Sequence, residues 1–447
     1  MAKKRAKALS PADEHEQNGP ADGRSDLRDS IQAALRKTLA KQEGAPTLLT
    51  NKEALARAGG IALPSLCLRY LFHQDTLPLG RILTLSGLFR SNKTALAFEI
   101  SSWIMQHQGL GWYNNAEERD SPGMRSAIFR HDEELINSMQ ILECSTQEQW
   151  QGSVTHQLNT IMNATKGVMI VPGVSIVDSI AAAPPKGEAA NFIKDKGGAG
   201  ARGFATIALL NSNWLTQITH RVNDGPFLLL LIQHSSEKPA EGLYGQPIRT
   251  QKGGMEVGFA KTMALEMTRV KDLKETDSGG GALINIECTK NSLGPTKRHI
   301  RVNCRWWWEE DPDGGDPKQQ YVWDWHEASM SLLLSMETMP GRSATWKKLK
   351  EICDLHGESR QRVWSKALGI PSSSPVSYRE AMEVLEYDHP ELLPPIYNLF
   401  HISRQPILLP GADLAQIWNG TVGIPDVAPP LPYRREPILG AGFADEE

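Results

Sequence analysis

Phe227-Leu-Leu-Leu-Leu-Ile232 is a run of consecutive apolar residues with no polar face. A strand of this kind cannot lie with one side to water, so the fold must cover it on both sides. The run is also far shorter than the roughly 20 apolar residues that a bilayer-spanning helix needs. Both constraints point to a parallel strand between two layers of helices. Further compact runs share this character: Arg81-Ile-Leu-Thr-Leu-Ser86, Gly111-Trp-Tyr-Asn114, Val168 to Val177 with a break at Pro172-Gly173, Met263 to Val270, Ile284 to Cys288 and His299 to Trp306. A helical stretch from Thr94 to His107 follows the first of them. Strands alternating with helices predict an α/β fold with a mostly parallel sheet flanked by helices.

The 447 residues suffice for two or three domains. With 40% hydrophobic and 22% charged residues the chain is not wholly disordered, and a net charge of −4 excludes a basic nucleic-acid coat. Cys67, Cys144, Cys288, Cys304 and Cys353 are widely spaced, with no C-x-x-C among them. That argues against a disulfide framework or a structural zinc site, and for a reducing compartment. Basic residues at the start lack the hydrophobic stretch of a signal peptide. The expectation is a soluble cytoplasmic chain without membrane contact.

Residues 1–26 are polar and predicted to be disordered. Leu27, Ile31, Leu35 and Leu39 recur every four residues behind a Ser25 or Asp26 cap, which predicts a short amphipathic helix within 27–62. The core is read as 63–335. Residues 336–435, with short helical segments between prolines, form a helical C-terminal domain, and 436–447 a flexible tail ending in an acidic tip. Trp306, Trp307, Trp308, Trp323 and Trp325 are expected to pack the junction of core and C-terminal domain, since aromatics mostly bury area.

The sharpest local feature is Gly87-Leu-Phe-Arg90-Ser91-Asn92-Lys93-Thr94, followed by Ala95, between a strand and a helix. It approximates the phosphate-binding loop G-x-x-x-x-G-K-[ST], in which backbone N–H groups wrap phosphates, the lysine reaches the outer oxygens and the hydroxyl holds Mg²⁺. Asn92 stands where the second glycine is usual, and asparagine tolerates unusual dihedrals better than most residues. An ordinary strand–turn–helix junction would read similarly. Two carboxylates sharpen the choice. Val174-Ser-Ile-Val-Asp178 is an apolar strand ending in an acid, suited to ordering Mg²⁺, and Glu117 follows the strand after the loop's helix, where it can polarise a water. Singly, each also reads as a plain solvated or strand-end carboxylate.

Several segments resemble the RecA recombinase family: Leu77 to Gly87 leading into the loop, Asn115-Ala-Glu117 with Pro122 beyond it, Val177-Asp-Ser-Ile-Ala-Ala-Ala-Pro-Pro-Lys186, Leu231-Ile-Gln-His234 with Leu243-Tyr-Gly-Gln-Pro247 and Gly253-Gly254, and Glu287-Cys-Thr-Lys290-Asn291. The resemblance covers roughly residues 77–305. Asn92, and His234 at the sensor position, look more like the phage UvsX branch. The resemblance implies a RecA-like P-loop ATPase core with an N-terminal docking helix and a small helical C-terminal domain. It implies ATP and Mg²⁺ held by Gly87, Arg90, Ser91, Asn92, Lys93, Thr94, Ala95 and Asp178, with Thr94 and Asp178 at the metal. Glu117 would activate water, His234 would sense the γ-phosphate, and Lys290 would reach a neighbouring subunit's ATP, with Ser292 where the family often has a second lysine.

The implied function is an ATP-dependent recombinase forming helical filaments on single-stranded DNA and pairing that strand with homologous duplex DNA. Loader or single-strand-binding proteins would be partners, in the host cytoplasm or nucleoid if phage-encoded. A ring-forming DNA motor and a nucleotide-gated single-stranded DNA scaffold with little hydrolysis are the alternatives. DNA contacts would come from Lys194, Lys196 and Arg202, in a glycine-containing basic segment suited to sequence-independent phosphate contact, and from Tyr244, Lys252, Gly253 and Gly254. As linkers or turns, both segments also have ordinary structural readings. If Tyr244 stacks on bases, Tyr244→Ala should weaken binding of a fluorescent single-stranded oligonucleotide by about tenfold or more while leaving the far-ultraviolet spectrum unchanged. Unaltered affinity would remove Tyr244 from the interface.

Overall fold

The computed structural model describes residues 60–117, 121–164, 171–187, 201–238, 248–251, 255–276, 279–311 and 314–335, and single positions between 382 and 402. The chain divides into two compact units, Met1–Asn51 and Lys52–Glu447, and every described residue lies in the second. The expected disordered arm, the helix over 27–39 and the C-terminal tail lie outside the described residues.

A small ladder, β1 (Gly60–Ala62) with β2 (Thr76–Pro78), brackets helix α1 (Leu66–Phe72). The main sheet begins with β3 (Arg81–Gly87) and takes in β4 (Leu110–Asn115), β5 (Met139–Glu143), β6 (Gly173–Asp178), β7 (Phe227–Lys238), β8 (Ile248–Gln251), β9 (Met263–Thr276), β10 (Gly279–Asn291), β11 (Arg298–Glu309) and β12 (Lys318–Trp323). Its spatial order is β12-β11-β10-β9-β3-β7-β6-β4-β5, with β8 on β7. The strands β9, β3, β7, β6, β4 and β5 run parallel. The segments near 263–270, 284–288 and 299–306, expected to alternate with helices, instead form a direct antiparallel meander with β12. Short connections can join antiparallel neighbours, whereas parallel ones need a crossover.

The helices are α2 (Lys93–Gln106), α3 (Pro122–Ile128), α4 (Glu133–Ser138), α5 (Gln147–Ala164), α6 (Ala201–Asn223), α7 (Met255–Ala260) and α8 (Trp325–Ser335). The apolar run in β7 is explained by alternation onto two separate cores. Leu228, Leu230 and Ile232 join Leu83, Leu85, Tyr113 and Ile176 with residues of α1, α2 and α8. Phe227, Leu229 and Leu231 join Ile82, Trp112 and Val177 with Trp150, Val154, Leu158 and Ile161 of α5 and Trp214, Leu215, Ile218 and Val222 of α6. Neither face of the run over 227–232 meets water, because each is capped by a helical layer.

Trp323 stacks on Trp325 with centroids 5.3 Å apart, and Trp325 meets Trp103 of α2 edge-on at 6.1 Å while its Nε1 donates to Glu99 Oε1 at 3.1 Å. Trp308, in contrast, is half exposed. At the same core, Arg298 lies over the Tyr70 ring and its Nη2 donates to Phe400 O at 2.9 Å, so described positions beyond 382 pack on α1. Cys67, Cys144, Cys288 and Cys304 are all buried and unbridged. Burial raises the thiols of Cys144 and Cys288 to about 11 and that of Cys304 to about 12. Among the described residues no helix is long and apolar enough to cross a membrane.

Leu230, fully buried in the middle of the sheet, is the sharpest probe of this packing. Leu230→Ala should cost about 3 kcal/mol in urea-denaturation free energy, and a loss below about 1 kcal/mol would contradict a filled core at that point.

Candidate active site at the carboxyl ends of the parallel strands

Ladder register assembles the site. Gly87 at the end of β3 pairs with His234 on β7, and Asn115 at the end of β4 pairs with Asp178 at the end of β6. Residues far apart in the chain therefore reach one edge of the sheet, where open α/β folds place ligands.

The loop after β3 has an unusual backbone. A Cβ at Gly87 would stand 2.3 Å from Met267 O and 2.8 Å from Ser91 Oγ, so only glycine fits there. Arg90 has φ 63° and Asn92 φ 60°, ψ 29°. Asparagine adopts this left-handed conformation more readily than other side-chain-bearing residues, so the loop keeps the turn that a glycine would supply. Asn92 then opens α2, its carbonyl accepting from Leu96 N at 3.0 Å. Lys93, almost fully buried, donates its Nζ to Leu88 O (2.8 Å), Gly87 O (3.2 Å) and Ser91 Oγ (3.2 Å). Burial lowers its ammonium from the usual lysine range, against the opposing pull of Asp178 and Glu117. Ser91 donates to Leu88 O at 2.8 Å, Arg90 and Phe89 are exposed, and Ala95 is buried in the first turn of α2.

Thr94 Oγ1 donates to Asp178 Oδ2 at 2.6 Å, joining the loop's helix to β6, and Tyr113 OH reaches the same oxygen at 3.3 Å. Asp178 is 4% exposed. Burial raises its pKa and the Glu117 charge adds to this, while the Thr94 bond, His234 and Lys93 work the other way. Glu117 takes up its place through backbone bonds from its own N and from Ala116 N to Asp178 O. Its Oε1 accepts from Ser179 Oγ at 2.8 Å and makes a short hydrogen bond with His234 Nε2. The Asp178–Ser179 peptide is cis. Phe89, Ala116, Glu117, Ala182 and His234 line an open cleft of about 330 Å³ beside the loop.

Of the residues expected at the site, Gly87, Ser91, Asn92, Lys93, Thr94, Glu117, Asp178 and His234 are thus brought together. Lys290 is elsewhere in the fold. It pairs with Ala264, which pairs with Thr84, three residues before Gly87 and so about 10 Å short of the loop along the strands. Its Nζ donates to Gly258 O (2.9 Å) and Phe259 O (3.1 Å) at the end of α7. Arg202, read as the end of a basic loop, lies in the first turn of α6; its side chain is not among the described groups. Lys194, Lys196, Tyr244, Lys252, Gly253 and Gly254 lie outside the described residues.

Three contributors escaped the sequence reading. Ser179 follows Asp178 directly, so its hydroxyl was visible as a signal. Tyr113 and Phe89 carried none, because one sits inside a buried strand and the other at a position the loop pattern leaves unspecified. Chemically, the hydroxyl of Thr94 and the carboxylate of Asp178 form the hard oxygen pair that suits Mg²⁺ with a triphosphate, and Lys93 supplies a point charge held inside the loop.

The description "RecA N-terminal domain" is that of the family that matches residues 30–306, well over half of the chain. The mitochondrial DNA repair protein recA homolog 3 of Arabidopsis thaliana is 27% identical over 223 residues, covering 50% of this chain and 47% of that protein. Protein RecA of Bacillus subtilis (strain 168) is 26% identical over 280 residues, covering 62% of this chain and 74% of that one, and Protein RecA of Bacillus licheniformis is 25% identical over the same length. The chain thus spans about half the length of the plant relative and about three quarters of the bacterial ones.

The raised proton affinity of Asp178 carries a stability consequence. The native state binds this proton at a pH where the unfolded carboxyl, near its usual 3.8, has released it. Stability therefore falls as pH rises from the unfolded to the native pKa and stays reduced above it. Asp178→Asn should raise the denaturation midpoint at neutral pH, with an advantage that shrinks in acid. A variant less stable than its parent at neutral pH would contradict burial as the dominant influence.

Proposed function

The chain belongs to the RecA N-terminal domain family, and on that footing we propose that it is an ATP-dependent DNA recombinase. It forms helical filaments on single-stranded DNA, pairs that strand with a homologous duplex and exchanges strands, with hydrolysis permitting release. The observation that carries this reading is the bond from Thr94 to Asp178, with Glu117 tied by its own backbone N–H to Asp178 O: the loop's helix, the buried acid and a candidate base are joined beside a cleft that Phe89 and Glu117 line.

In this reading Gly87, Arg90, Ser91, Asn92, Lys93, Thr94 and Ala95 hold the triphosphate, and Lys93 exchanges loop carbonyls for phosphate oxygens. Thr94 and Asp178 would hold Mg²⁺, which would supply positive charge to the phosphate oxygens. Glu117 accepts a proton from the attacking water, oriented for that by Ser179. His234, bonded to Glu117 and paired in register with Gly87, passes the state of the phosphate end toward the segment that follows β7. Lys290 serves the ATP of a neighbouring subunit, which makes hydrolysis a property of the assembly; its distance from its own loop supports that role. Lys194, Lys196, Arg202, Tyr244, Lys252, Gly253 and Gly254 contact DNA. Asn92 and His234 favour a phage UvsX-like branch.

A second reading, a nucleotide-gated DNA scaffold with little hydrolysis, is favoured by one observation. Glu117 Oε1 is already engaged by both His234 and Ser179, which competes with its use as a base. One pair of measurements tests both. Lys93→Ala should lower ATP turnover by roughly 100-fold or more and abolish ATP-dependent filaments on single-stranded DNA in negative-stain images. Unchanged filaments would sink the phosphate-loop assignment. Filaments in the parent without measurable turnover would select the scaffold.

A further inference from the structure

The carboxylates of Glu117 and Asp178 and the imidazole of His234 place one ligand atom each within 4.8 Å of one another. We propose that these three residues form a chelating site for a divalent transition metal of the Zn²⁺ class, distinct in its chemistry from a Mg²⁺ that accompanies a triphosphate.

Several features support a built site. The ligands come from the carboxyl ends of three adjacent parallel strands: Asp178 is the last residue of β6, Glu117 lies just beyond β4 and His234 lies on β7. Asp178 and His234 are held by the sheet, and Glu117 is tied to it by the bonds from Ala116 N and Glu117 N to Asp178 O. Each carboxylate is held by a neighbour. Ser179 Oγ donates to Glu117 Oε1 at 2.8 Å, and Thr94 Oγ1 and Tyr113 OH donate to Asp178 Oδ2 at 2.6 and 3.3 Å. Outer partners of this sort orient metal ligands and sharpen affinity. The side chains of His234 and Glu117 are 27% and 16% exposed toward the cleft, so an ion has a path to them. Two carboxylates this close also repel one another. A divalent cation between them removes that repulsion.

Selectivity follows from the nitrogen. Mg²⁺ prefers about six oxygens in octahedral geometry and keeps several waters, whereas Zn²⁺ accepts mixed nitrogen and oxygen donors at about 2.0–2.2 Å. Three protein ligands leave a fourth position for water. To coordinate, Nε2 must be free of hydrogen, so the hydrogen it shares with Glu117 moves to Nδ1 or leaves to solvent. Metal in this site occupies Glu117, so it would also act as a brake on hydrolysis, a consequence that rests on the proposed role of Glu117. The binding itself does not depend on that role.

Binding is read on the full chain without nucleotide, using Co²⁺ as a spectroscopic stand-in. The expected result is a d–d absorption band that saturates at one ion per chain, vanishes on adding one equivalent of Zn²⁺ and survives millimolar Mg²⁺. His234→Gln and Glu117→Gln, each checked by thermal melting, should weaken Co²⁺ binding about 100-fold. Unchanged affinity in both variants overturns the site. So does loss of the band to millimolar Mg²⁺, or a sulfur charge-transfer band showing that cysteines hold the ion. ATP turnover by the parent in Mg²⁺ alone is measured separately: its absence would count against the proposed function and leave the metal result standing.

Discussion

The hydrogen bond from Thr94 to Asp178 is the contact on which the site depends. Asp178 ends a fully buried strand, and a carboxylate there is costly unless its oxygens are engaged. Thr94 engages it from the first turn of α2, and that turn exists because Asn92 adopts a left-handed conformation and Gly87 has no side chain. A strained loop and a desolvated acid thus hold one another in place. Neither feature benefits stability in isolation. Together they create a charged, shaped cleft whose free-energy cost is offset by the two hydrophobic cores behind it.

Those cores also explain why so much of the central sheet was legible. The strands β3, β4, β6 and β7 announce themselves as apolar runs because helices cover both sides, and α2 follows its loop without interruption. Legibility fell where burial is one-sided. β5, at the sheet edge, has mostly exposed or half-buried side chains, so Met139 to Glu143 carries no strong run. Helix α5 mixes glutamines and asparagines with its apolar stripe. Gln147 bonds Asn211, and Gln157 bonds Asn114, so these polar residues look solvent-facing in the sequence yet lie between layers. The strands β9, β10 and β11 were recognised individually, but their antiparallel connection could not be read from apolar content, because pairing direction depends on connections and not on composition.

The site divides in the same way. Lys93, Thr94, Asp178 and Glu117 were visible because each stands at a fixed offset from a strand end. The bond between His234 and Glu117 was not, since it depends on β7 and β4 lying on either side of β6. Ser179 illustrates the middle case: its position was printed beside Asp178, but its partner is set by the turn that follows. Lys290 was singled out only by the resemblance to the RecA family, while its distance from its own loop emerged only from the register of β10 on β9 and β9 on β3.

The buried thiols have a use of their own. Cys67, Cys144, Cys288 and Cys304 are spread over α1, the segment after β5, and the antiparallel meander, and burial keeps the latter three protonated well above neutral pH. Only the thiolate reacts readily with alkylating reagents. Each position therefore reports local opening, because its modification must wait until that part of the core admits solvent. The chain carries its own set of internal clocks, distributed across the sheet, for measuring which layer loosens first.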